Sequence, residues 1–229
     1  GNNTTFVPLH GERDEEHLLG RSSPWRGGLL DAHTFQTRAN NFLDHSNIGE
    51  SSFFIPVTVD GALIQGWELT LRSPRLAHIG PAHLAYSNQI AQQRGAITGG
   101  LICYPANSAD CTVEPGYSPL DHDQRNTLNM GFDANLPKQA WASVNVYYGS
   151  GFSNGFTDPP SPYTGDYLPG HTTFDLAVGK SFRENWSLSA QSTNVANTRV
   201  LLDNSLTFGG FHENDPRQIY GQLNYRFHF

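Results

Sequence analysis

Apolar and polar side chains alternate along most of the chain, most regularly at its C-terminal end. Between Pro216 and Phe229, Ile219, Gly221, Leu223, Tyr225, Phe227 and Phe229 share one face of an extended strand. Gln218, Tyr220, Gln222, Asn224, Arg226 and His228 share the other. The same period of two predicts strands at Trp186 to Asn194, Thr172 to Phe182, Ala140 to Tyr148, Thr127 to Leu136, Ala82 to Gln89 and Gly66 to Arg72. Thr172 to Phe182 is representative: Phe174, Leu176, Val178 and Phe182 oppose Asp175, Ala177, Gly179 and Ser181, and Lys180 alone falls on the apolar side. Two less regular strands are predicted at about 12–22 and 28–42, joined by a turn at Pro24-Trp25-Arg26-Gly27.

The connections add a second pattern. Pro24 to Gly27, Ser73 to Gly80, Pro137 to Gln139 and Arg183 to Asn185 are short, whereas roughly 43–61, 94–121, 150–171 and 195–215 are long and rich in Gly, Pro, Asn, Asp and Ser. Alternation alone also fits a soluble β-sandwich. A sandwich, however, has no reason to keep every second connection short, and an outer-membrane barrel has one in its short periplasmic turns and long extracellular loops. The predicted fold is therefore all-β: a segment of an antiparallel, up-and-down transmembrane β-barrel with about nine or ten strands. Trp25, Phe182 and Trp186 then lie beside periplasmic turns and Tyr148 and Phe152 near the outer rim, as aromatic girdles require. Nine strands is an odd count, and single-chain barrels have even ones. Either residues 1–10 hold a further strand or the chain belongs to a larger barrel.

Composition changes this picture little and excludes several others. Of 229 residues, 37% are apolar and 12% aromatic, with 23 Gly and 14 Pro, which suits many strands joined by turns. A mean hydropathy of -0.46 is no objection, because only alternate barrel residues are apolar. No run approaches the roughly 18 apolar residues of a spanning helix. No signal peptide is recognisable, and a start at Gly1 suits a mature or truncated chain. With 14 Lys+Arg against 21 Asp+Glu and a net charge of -7, nothing marks a nucleic-acid partner. Cys103 and Cys111 stand in a Pro/Asn/Ser-rich stretch, where a small disulfide loop in an oxidising compartment is expected and free thiols are the alternative.

Candidate chemistry is sparse. Asp121-His122-Asp123 and His212-Glu213-Asn214-Asp215 are dense in metal-type ligands and adjoin loops. They could share a cation only if folding joined them; strand-end charges and turn-forming Asp and Asn are the plainer explanation. Gly149-Ser150-Gly151-Phe152-Ser153-Asn154-Gly155 lacks phosphate-loop spacing and is expected to be a flexible loop. Phe211 and His212, after Gly209-Gly210, could touch a ligand at the outer mouth, as could Asp121 and His122. The predicted inward charges Glu68, Arg72, Asp133, Asp175 and Arg226 suit a hydrated lumen. No catalytic pair, metal site or cofactor site is assigned, and no enzyme is expected.

Several phrases carry a family resemblance: Gly66-Trp67-Glu68-Leu69, Leu120-Asp121-His122-Asp123-Gln124-Arg125, Ser192-Thr193-Asn194-Val195-Ala196-Asn197 and Asp215-Pro216-Arg217-Gln218-Ile219-Tyr220-Gly221. In order and spacing they resemble the C-terminal barrel portion of a TonB-dependent outer-membrane receptor, from about Glu12 to Phe229. The resemblance implies part of a 22-stranded barrel in the bacterial outer membrane, taking part in TonB-dependent uptake of a bulky nutrient such as an iron chelate, cobalamin or glycan. It also implies that Tyr225, Phe227 and Phe229 form a C-terminal signal for the barrel-assembly machinery. The plug and the TonB-contacting segment are not recognisable in residues 1–229, which read as one partial barrel domain. The expected partners are the lipid bilayer, the assembly machinery and the remaining barrel and plug of the same receptor, with TonB reached only through that remainder. A small self-contained pore or adhesin and a secreted carbohydrate-binding β-sandwich are the alternatives.

Overall fold

A computed structural model describes residues 3–47, 53–74, 79–104, 116–155, 161–182, 185–205 and 210–227. In chain order the strands are β1 (Asn3–Val7), β2 (Arg13–Trp25), β3 (Gly28–Asn47), β4 (Phe54–Arg72), β5 (Ile79–Tyr104), β6 (Tyr117–Pro119), β7 (Asn126–Leu136), β8 (Ala140–Gly149), β9 (His171–Phe182), β10 (Trp186–Thr193), β11 (Leu201–Asp203), β12 (His212–Glu213) and β13 (Gln218–Tyr225). One antiparallel sheet runs β13-β10-β9-β8-β7-β5-β4-β3-β2, with β1 and β6 pairing higher on β5 and β11-β12 forming a separate two-stranded ribbon. The nine strands of the main path are the nine that alternation predicts.

Hydrogen-bonded register carries each strand's apolar set onto one common face. Leu71 pairs with Leu30 and Leu84, Leu84 with Met130, Met130 with Val146, and Val146 with Phe174. This face is bare: Ile219 is 75% exposed, Val178 53% and Leu223 64%. The β-sandwich alternative fails on that observation, since a sandwich buries its apolar face against a second sheet. The polar face is the crowded one. A Cβ at Gly20, Gly131 or Gly179 would run into the rings of His33, His83 and Trp141, whereas one at Gly221 on the apolar face would meet nothing within 4 Å. Crowding on one side and open space on the other suit a sheet curled around its polar face.

Aromatic rings mark the short-turn end of the bare face. Trp186 lies 4.5 Å from Tyr225, and Phe227 meets Tyr225 edge-on at 4.6 Å. Lys180, the cation on the apolar side of β9, places its ammonium 4.9 Å from the centre of the Phe182 ring, so its stem lies along apolar surface while the charge reaches the boundary. The β2–β3 turn consists of Arg26 (φ 49°) and Gly27 (φ 83°), the two left-handed residues that a tight hairpin requires. Among the described residues no helix is long and apolar enough to cross a membrane; strands do the crossing here.

Three expectations are corrected. First, the connections at 43–61 and 94–121 are largely strand, because β3, β4 and β5 run on past the predicted ends to Asn47, from Phe54 and to Tyr104. Left-handed residues at Asn41, Gly95 and Gly100 and register shifts near Val59 interrupt the period of two, which hides these extensions. Second, residues 1–10 do hold a strand, but β1 pairs with residues 100–104 of β5 and adds no wall strand beside β2. Third, Phe152 leaves the outward girdle: it stacks on His171 at 5.8 Å after a turn through Gly151 (φ 102°). The expected Cys103 to Cys111 pairing falls outside the described residues.

Among the described residues β2 and β13 each have one strand neighbour and do not pair with each other. Open edges leave backbone donors and acceptors that lipid cannot satisfy. Residues 1–229 alone are therefore expected to give no reproducible single-channel conductance in planar bilayers; a stable unitary conductance would contradict this.

Candidate functional site

At the long-loop end, segments that are far apart in sequence are bonded into one cap. Asp123, 2% exposed, is its centre: Oδ1 accepts the Ala91 N–H at 2.7 Å and Oδ2 accepts the Tyr167 hydroxyl at 2.7 Å. The next residue, Gln124, accepts the Tyr147 hydroxyl through Oε1 at 2.8 Å. Ser153 donates its N–H to the Asp123 carbonyl and its hydroxyl to the Leu120 carbonyl, both at 2.8 Å. The glycine-rich segment expected to be flexible is thus pinned along its length, with the Leu168 N–H donating to the Phe152 carbonyl and Leu168 buried. Asn204 joins the last loop to it, donating to Asn154 Oδ1 at 2.6 Å and accepting the Gly155 N–H at 3.0 Å.

The last loop is anchored in the same manner. Asn194 (φ 48°) donates to the carbonyls of Thr198 and Asp215, accepts the Thr198 N–H, and gives its own N–H to Asp175. Asn197 accepts the Arg217 N–H at 2.8 Å, and Asn214 bonds Val200 in both directions. The family phrases at 120–125, 192–197 and 215–221 therefore carry loop fasteners, whereas Gly66-Trp67-Glu68-Leu69 lies within wall strand β4.

Asp121 lines a cleft of about 700 Å³ together with Tyr117, Arg125, Asp166 and Tyr167. Burial raises its pKa above the ordinary 3.8, Asp203 and Asp44 add to the shift, and His122 and His45 oppose it. Folding thus brings Asp121 into the field of the β3 tip and of the last loop, a juxtaposition that local spacing does not carry. His122 (φ 62°) sets its ring edge-on to Phe152 at 6.1 Å, and Phe152, His171 and Tyr147 continue the stack across the polar face. Phe211 is exposed and edge-on to Tyr163 at 6.5 Å. His212 pairs in register with Asp203. Among the described residues no group of three or more His, Cys, Asp or Glu could hold a metal ion, so the two candidate clusters do not merge into a donor set. Burial, followed by the hydrogen bond to Asp123 and that residue's charge, pushes the Tyr167 pKa up to about 12; the phenol stays a donor at every physiological pH.

A wall that is apolar and bare outside, polar and crowded inside, and capped by bonded loops at one end defines the class: part of a bacterial outer-membrane β-barrel. The family model for the TonB dependent receptor-like β-barrel matches residues 21–195, and the chain belongs to that family. Family membership places it in the outer membrane. Solved structures share the fold at low identity. The ferric-catecholate import receptor Fiu of Escherichia coli K12 is 14% identical over 94% of this chain and 28% of its own, with a TM-score of 0.64. FpvA of Pseudomonas aeruginosa, bound to heterologous pyoverdines, is 9% identical over 96% of this chain and 28% of its own, with a TM-score of 0.66. The FrpB iron transporter of Neisseria meningitidis is 13% identical over 96% of this chain and 32% of its own, with a TM-score of 0.64. The chain thus spans about a third or less of these relatives' length. No curated protein matches the sequence.

Two outcomes follow for the cap. Asp123→Ala removes the acceptor of two charge-assisted hydrogen bonds and is expected to lower local stability by about 2–4 kcal/mol, read as faster amide exchange at Ala91; unchanged exchange would contradict the assignment. A raised folded-state pKa at Asp121 means that the folded cap holds this proton more tightly than the unfolded chain. Its stabilising contribution is complete below pH 3.8 and declines as pH rises through the raised value. Amide exchange in residues 117–125 should accelerate over that window, and Asp121→Asn should flatten the dependence; an equal slope in the variant would count against it.

Proposed function

We propose that residues 1–229 form one continuous portion of the barrel domain of a TonB-dependent uptake receptor for a bulky nutrient. The rest of the same receptor completes about 22 strands and supplies the plug and the contact with TonB. The observation that supports this is the open sheet, whose nine wall strands end in unpaired β2 and β13 edges. A self-contained pore would need those edges joined. Tyr225, packed on Trp186, and Phe227, edge-on to Tyr225, act with Phe229 as the C-terminal signal for the barrel-assembly machinery. Asp121, His122, Phe211 and His212 present their side chains to the arriving nutrient at the outer mouth. The relatives named as iron or ferric-chelate transporters make such chelates the first ligands to test.

Cells with and without the receptor gene, each with and without TonB, can be assayed for uptake of labelled ferric chelates, cobalamin and oligosaccharides. Uptake of at least one of them is expected to require both genes, and Phe211→Ala with His212→Ala is expected to reduce it severalfold. Receptor-dependent leakage of small solutes that ignores TonB would instead identify a passive pore.

A further inference from the structure

His171 opens β9 at the long-loop end, opposite Gly149, the last residue of β8. This pair stands one residue above the pair of Tyr148 and Thr172, and so lies beyond the lipid-facing band. Glycine at 149 leaves room for two side chains on the polar face: a Cβ there would run into His171 Cε1 and into both ends of the Gln124 amide. Rings cover the imidazole, with Phe152 stacked at 5.8 Å and 23° and Tyr147 at 5.8 Å and 34°. Gln124 forms a β-bridge with Phe152 and accepts the Tyr147 hydroxyl, so these residues form one packed unit. Through it the 149–155 segment is held to β8 and β9.

Two buried polar atoms of this unit lack a hydrogen-bond partner among the described residues: Gln124 Nε2 and His171 Nδ1. A neutral imidazole tolerates this by keeping its proton on Nε2 and leaving Nδ1 bare. A second proton would go to Nδ1, where no acceptor stands and the Gln124 amide over the same glycine offers only a further donor. Burial accordingly lowers the His171 pKa below the ordinary 6.5, and the Pro169 carbonyl, a hydrogen-bond acceptor for the ring, opposes the shift. No charged side chain takes part in it. Asp123 and Arg125 flank Gln124, but the Asp123 carboxylate is committed to Ala91 and Tyr167. His122 contacts Phe152, and Tyr147 on β8 stays neutral because phenols titrate at about 10. Folding disfavours the charged ring, so the neutral stack contributes its stability in full above pH 6.5 and loses it as pH falls through the lowered value.

We propose that His171 is an acid-released latch on the outer mouth: neutral, it clamps the 149–155 segment to β8 and β9, and protonated it leaves the stack and frees that segment. The test is amide hydrogen exchange of the whole receptor in detergent micelles at about pH 7.5 and about pH 5, on either side of the ordinary imidazole range. Each rate is compared with the intrinsic rate at the same pH, and heat-modifiable electrophoretic mobility checks folding. Protection of residues 149–155 should fall severalfold on acidification while that of β10 stays level. His171→Phe keeps a ring over Gly149 but takes no proton, so its protection should be equal at both pH values. If that variant misfolds, Phe152→Leu decides: without the stacked ring, protection should be low at both. His122→Asn removes the other titrating ring, in a residue type that tolerates the left-handed backbone there, and should respond as the wild type does. Three results would overturn the proposal: level protection in the wild type, a pH response that persists in folded His171→Phe or Phe152→Leu, or its loss in His122→Asn. So would protection that rises on acidification, the result of attraction between an imidazolium and the Phe152 and Tyr147 faces.

Discussion

Lipid offers the backbone no hydrogen-bond partner, and the other properties of this wall follow from that constraint. Every N–H and C=O at membrane depth must be satisfied within the sheet, so consecutive strands pair as antiparallel neighbours with short returns at one end. Pairing then dictates side-chain chemistry, because register carries each strand's alternate residues onto a shared face. The row from Leu30 through Phe174 remains apolar across six strands because a shift by one residue would turn Asp133 and Asp175 toward lipid. Such a sheet has almost no interior. Among the described residues the buried apolar ones, Ala39, Val57, Val59, Ala62, Leu168 and Val200, belong to upper strand ends and loops, where ordinary packing resumes.

The loop end depends on a different interaction. Lacking a hydrophobic core of useful size, it is held by buried polar side chains that bond backbone across long sequence separations. Asp123 ties residues 91 and 167 together, Asn194 ties 175 to 198 and 215, and Asn204 ties 154 and 155. In each case a buried polar group is stable because it is fully bonded. These fasteners set the form of the outer mouth, and they hold His122, Phe152 and His171 in a stack on the polar face.

Strand identity, facing and topology were legible in the sequence because a half-exposed strand writes its environment at every second residue. Where backbone conformation breaks the period, legibility fails: the left-handed Asn41 concealed the upper part of β3, and Gly95 and Gly100 concealed that of β5. The position of Phe152 near a strand end points to the lipid girdle, and only the turn at Gly151 redirects it. Asp121 and His122 stand out by residue type, but the charges that act on Asp121, those of Asp44, His45 and Asp203, come from distant segments, and local spacing carries no signal for that. Three of the four family phrases were legible for a different reason: they contain Asp and Asn residues that close the loops.

The central claim is that one face of this sheet meets lipid and the other meets water. Spin labels placed singly along β9 from Phe174 to Lys180, in the receptor within its own membrane, test it most directly. Labels at 174, 176 and 178 should be accessible to oxygen and shielded from a water-soluble nickel chelate, and labels at 175, 177 and 179 should show the reverse. A profile without this two-residue alternation, or shielding of both faces from both reagents, would contradict the account.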